Sequence, residues 1–90
     1  MICPLSTLRP GREAVVRIIR LPTAEVSALA RLGLGPGTGI RLLRTCPFGG
    51  PGVYEFRAMA LALRRETAEG ILVTRKEPET GKKEGPDRGL

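Results

Sequence analysis

The chain contains no histidine, and residues 1–75 also contain no lysine and no aspartate. Without histidine, no side chain ordinarily titrates near neutral pH, so the usual general base is missing. Glu13, Glu25, Glu55, Glu66 and Glu69 fall on separate segments and form no pair that could share acid–base work. Cysteine is scarce as well. Cys3 and Cys46 are 43 positions apart with no CxxC spacing, too few for a disulfide framework or a tetrahedral metal site. Cys46 reads as a small apolar filler beside a loop and Cys3 as a terminal thiol. No apolar run approaches the ~18 residues of a membrane span, and no charged-then-apolar leader opens the chain. These absences predict a cytosolic, non-catalytic protein with no metal or cofactor site.

Ninety residues allow one domain with a thin core. The net charge of +6 lies wholly in residues 1–75, where eleven arginines face five glutamates; four basic and four acidic residues cancel in 76–90. A basic surface of this kind attracts nucleic acid, anionic lipid or an acidic protein, and it also keeps a small domain soluble.

Leu5 and Leu8 are spaced to cover one end of a small core, ahead of a Pro10-Gly11 turn. Residues 13–20 (EAVVRIIR) are β-branched and predict a strand with Val16 and Ile18 on one face and Val15, Arg17 and Ile19 on the other. Pro22 ends it, and Thr23 is placed to cap a helix of about ten residues carrying Val26, Leu29, Ala30 and Leu32. Gly33 suits the left-handed residue after such a helix. Gly35-Pro36-Gly37 predicts a type II turn, followed by a strand over 38–44 with Ile40 and Leu42 inward.

The run PFGGPG (47–52) tolerates no regular structure, and 53–58 then alternates, with Tyr54 and Phe56 inward. Leu61 and Leu63 mark a short strand, 66–69 a helical turn, and 71–75 a closing strand. The expected architecture is mainly β: a small SH3-like barrel of about five strands in residues 1–75. One short helix follows the first strand, and a helical turn precedes the last. Closure would remove exposed strand edges. Residues 76–90 (KEPETGKKEGPDRGL) hold a single apolar residue, Leu90, and predict a disordered polar tail.

Neither glycine-rich run matches a phosphate-binding loop, because each leads into a strand rather than a helix. Nine arginines, among them Arg41, Arg44 and Arg57, supply charge for RNA or DNA. Single-strand recognition also calls for stacking rings, and only Phe48, Tyr54 and Phe56 are present, two of them facing the core. A self-associating regulatory barrel is the third reading.

Three segments, PLSTLRPGREAVVRI, LARLGLGPGTGIRLLRTCPFGGP and LALRRETAEGILV, resemble in order and spacing the FeoA family of small proteins of bacterial and archaeal ferrous iron uptake. The resemblance implies an SH3-like barrel and an accessory role, engaging the cytosolic GTPase portion of the membrane transporter FeoB. It carries over no catalytic residues. Two positions depart from the family pattern: Phe48-Gly49-Gly50-Pro51 replaces a loop resembling LGDP, and Met59 stands where a glycine is usual. The expected partner surface joins Arg31, Leu32 and Gly33 at the helix end, the Phe48 loop, and Met59, Arg64 and Arg65. Exposed arginine beside loop-borne apolar residues is a mixture favoured at interface centres. Leu32 has a competing assignment to the core. The chain would reach the inner face of the membrane through its partner.

Overall fold

The computed structural model describes residues 1–76. In chain order it carries β1 (Ile2–Pro4), a 3-10 turn (Leu5–Thr7), β2 (Glu13–Ile19), α1 (Thr23–Arg31), β3 (Gly39–Thr45), β4 (Gly52–Phe56), β5 (Met59–Leu63), α2 (Arg65–Glu69) and β6 (Ile71–Arg75). The strands form one antiparallel sheet in the order β1-β6-β2-β3-β4-β5. The mainly β class is as expected, with α1 after the first long strand and α2 before the last. The described residues hold six strands, where about five were expected. β1 has no legible alternation of its own; three residues become a strand only because Cys3 falls opposite Val73 on β6. The sheet is also open rather than closed: β1 and β5 each pair on one side only. Pro4, which has no amide to donate, is the last residue of the three-residue β1. The tail expected over 76–90 lies outside the described residues from 77 onward.

Two bulges curl the sheet. Val16 pairs Val73 while Ile18 pairs Leu72, so β2 carries one extra residue there. β3 carries another between Leu42, opposite Tyr54, and Arg44, opposite Val53. An inserted residue shifts every later side chain to the opposite face. Ile18, expected inward, is therefore exposed, and Ile19 packs against the core instead. Leu43 is turned outward at the second bulge.

The curled face wraps Leu5, Val16, Leu34, Leu42, Phe56, Ile71 and Val73, all fully buried. Each such side chain contributes roughly 1.5–3 kcal/mol on burial, so this cluster holds the fold. Leu8, Ile40 and Tyr54 complete it as expected.

α1 differs from expectation at its start. Pro22 occupies the cap position, Thr23 is the first helical residue, and no side chain caps the free amides. Its end is more tightly built. The Gly33 amide donates to the Ala30 carbonyl at 2.9 Å and the Leu34 amide to the Leu29 carbonyl at 2.9 Å, the two bonds of a Schellman motif. Gly33 takes φ +96°, and buried Leu34 closes on buried Leu29. The following turn is type II as predicted: Gly37 has φ +92° and the Thr38 amide donates to the Gly35 carbonyl at 3.0 Å.

Candidate interaction surface

The expected surface residues fall into two groups at opposite ends of β5. The first group gathers where α1 ends. Arg57 and Ala58 form a two-residue hairpin turn between Phe56 and Met59, with φ of 50° and 62°. Positive φ at both positions matches the right-handed twist of the strands. From this turn the Arg57 guanidinium donates through Nε to the Gly33 carbonyl at 2.9 Å. The Thr38 hydroxyl donates to the same carbonyl at 3.2 Å. Gly33 lies just past the helix C-cap Leu32, and a cation near this end of α1 is favourable for the helix dipole. Arg57 thereby joins the end of α1 to the start of β5, bringing Gly33 and Met59 to one end of the molecule. Arg31 is exposed, and Met59 is 38% exposed. Leu32 is 41% exposed, so its assignment to the core fails. It is the last residue before the reversal at Gly33, and Leu34 takes the inward place.

The second group lies around the β3–β4 loop. The Gly50 amide donates to the Pro47 carbonyl at 3.2 Å, closing a turn in which Phe48 has φ 61° and Gly49 φ 73°. A bulky residue in that region is rare, because its Cβ crowds the following carbonyl. Phe48 nonetheless stands fully in solvent and buries nothing against the described residues. Below the loop a cleft of about 260 Å³ is lined by Ser6, Cys46, Gly49, Tyr54, Arg65 and Ala68, among others. Gly52 pairs with Leu63, so the loop and the Arg64–Arg65 end of β5 are neighbours. Arg65 forms an exposed ion pair with Glu69 at 3.5 Å. Arg64 forms no ion pair with any described carboxylate. The five residues of β5 separate the two groups by roughly 13 Å, at about 3.3 Å per residue.

Two further features bear on the chemistry. Arg41 lies opposite Glu55 across β3 and β4 and donates to its Oε1 at 2.6 Å; that hydrogen bond, more than the charge attraction, raises the arginine pKa. Both side chains are substantially exposed, so the pair adds little to the stability of the fold. Tyr54 is 3% exposed, and burial alone raises its pKa above the usual phenol range. Among the described residues no three His, Cys, Asp or Glu side chains come together, and no helix is long and apolar enough to cross a membrane.

The contribution of Arg57 escapes a reading of the sequence. The Arg57-Ala58 turn lacks the Asn-Gly or Asp-Gly signature, and only the alternation ending at Phe56 hints at a reversal. Cys46 does sit half-buried beside its loop, as read.

Residues 3–75 match the family described as the FeoA domain. None of the curated proteins matches the chain. Among solved structures the chain is similar to the FeoA protein from Chlorobium tepidum, at 35% identity over 87% of this chain and 74% of that one, with a TM-score of 0.79. It is also similar to a protein described as iron uptake regulatory protein (FeoA), at 26% identity over 84% and 99% of the two chains, with a TM-score of 0.74. A third is the zinc complex of FeoA from Stenotrophomonas maltophilia, described as a procaryotic SH3 domain protein and a suggested ferrous iron transport activating factor. It is 27% identical over 78% of this chain and 87% of that one, with a TM-score of 0.65.

Proposed function

The chain belongs to the FeoA family, and on that premise we propose that it is a non-catalytic accessory protein of ferrous iron uptake. It binds the cytosolic GTPase portion of an FeoB-type transporter and is drawn to the inner face of the membrane by that contact. The observation that carries this reading is Phe48. A fully exposed phenylalanine in a left-handed conformation costs about 1–2 kcal/mol and returns no packing against the described residues. Such strain fits a side chain kept for a partner. Arg64 and Arg65 beside the loop add the cations common at interface centres.

The nucleic-acid reading has less support. Tyr54 and Phe56 are 3% and 2% exposed, so Phe48 is the lone aromatic ring facing solvent in the described residues. One ring does not make a stacking platform.

The test measures binding of the transporter's cytosolic portion to the wild-type chain, Phe48→Gly and Arg64→Glu. Both variants should bind at least tenfold more weakly while unfolding at wild-type denaturant or higher. Wild-type affinity in both, or no binding by the wild-type chain, overturns the proposal. Tight RNA or DNA binding that collapses between about 50 and 200 mM salt would favour the other reading.

A further inference from the structure

Among the described residues the outer edge of β5 is unpaired, and the strand itself is uncharged, with protective charge only at its flanks. Natural sheets blunt such edges with short strands, inward or flanking charge, proline or a bulge. β1, the opposite edge, has two of these devices: it is three residues long and ends in Pro4. β5 is five residues of Met-Ala-Leu-Ala-Leu, uncharged, without proline, and in unbroken register with β4.

The pairing shows which groups are free. Phe56 and Met59 close a two-residue turn and so exchange both backbone bonds; Tyr54–Leu61 and Gly52–Leu63 repeat that pattern at steps of two. The amides and carbonyls of Ala60 and Ala62 therefore point away from β4. Neither takes part in any backbone bond to a described residue outside the ladder. Both side chains are exposed methyl groups, small enough to let another backbone approach.

We propose that this edge accepts an added antiparallel strand from a protein partner, an extended segment with an uncharged centre and carboxylates at its two ends. The ends of β5 set the chemistry. Arg57 precedes the strand and Arg64 follows it; both are exposed, and neither pairs with a described carboxylate. The same arginines oppose self-pairing. A second copy added antiparallel with full overlap centres on Leu61, which sets Arg57 of each copy against Arg65 of the other and Arg64 against Ala58. Like charges meet at both ends, and such juxtaposition is destabilising. The Arg65–Glu69 ion pair, at 3.5 Å and largely exposed, leaves most of that repulsion in place. The inference gives the partner contact a mode, and rests on the proposed function only in naming the transporter as the source of the strand.

The experiment follows amide exchange in the full chain, alone and with two probes. One is the transporter's cytosolic portion. The other is a synthetic nine-residue peptide with a Thr/Val centre and Glu at both ends, compared with the same peptide carrying Lys. Slowing of the Ala60 and Ala62 amides by tenfold or more with the transporter supports both proposals. Slowing with the Glu-ended peptide alone supports the edge and overturns the transporter reading. Transporter binding that leaves both amides unchanged, or protection equal with the Lys-ended peptide, overturns the edge. So does a dimer in sedimentation that protects the same two amides, and so does failure of both probes to slow them. Ala62→Pro removes one outward amide without touching the ladder and should weaken binding at least tenfold. Arg64→Glu leaves the backbone intact and should lose preference for the Glu-ended peptide.

Discussion

Gly33 shows how much one residue can carry. Its φ of +96° suits glycine, and a Cβ built there would lie 2.6 Å from Cδ of Arg57. Two costs coincide in Gly33→Ala: the left-handed conformation, about 1–2 kcal/mol, and the displacement of Arg57 from the Gly33 carbonyl. The expected outcome in denaturant unfolding is a loss of about 1.5–3 kcal/mol. Adding Arg57→Ala should relieve the clash and leave the conformational cost together with the lost Arg57–Gly33 hydrogen bond. Full recovery would show that the positive φ costs nothing. A glycine after a helix is legible in the sequence; the arginine that reads its carbonyl is not, because the two are 24 positions apart.

At the scale of elements, β2 and α1 mark the boundary between local and tertiary control. The branched run of β2 specifies a strand, yet the bulge that sends Ile18 out and Ile19 in depends on the register with β6. Nothing in EAVVRIIR says which residue is doubled. α1 is nine residues without a side-chain cap, too short to be stable alone. Leu29 and Leu34 attach it to the core through the Schellman turn. Leu34→Ala should therefore cost about 2–5 kcal/mol and loosen α1 first. Amide exchange would check this: the Leu29–Leu34 region should lose protection before β2 does. Equal loss across the sheet would mean that α1 and the core unfold as one unit.

For the molecule as a whole, Tyr54 ties stability to alkaline pH. Burial raises its folded pKa above the usual phenol value of about 10, so the folded state holds the proton more tightly than the unfolded chain does. That contribution is fully present below about pH 10 and is lost as pH rises through the folded value. Tyr54→Phe removes it. The wild-type chain should lose stability above about pH 10 more steeply than Tyr54→Phe, as read by denaturant unfolding at pH 8 and pH 11. Parallel curves would show that the phenol does not couple to folding.

Much of this protein was determined by the sequence alone. The missing histidine, the scattered glutamates and the two lone cysteines are features that need no fold to be read, and the proposed non-catalytic role starts from them. The turns at Gly33 and Gly37, the inward Tyr54 and Phe56 and the closing strand Ile71–Arg75 follow from backbone sterics and alternation, which act over a few residues. The surface residues Arg31, Phe48, Met59, Arg64 and Arg65 were nameable as types. Their division into two groups was not, since it depends on which strand pairs with which. Tertiary structure alone decided the sixth strand, the two bulges, the Arg57 clamp and the open edge at β5. Each depends on backbone groups brought together from distant positions, and a hydrogen bond across a sheet leaves no mark in the local pattern of either strand.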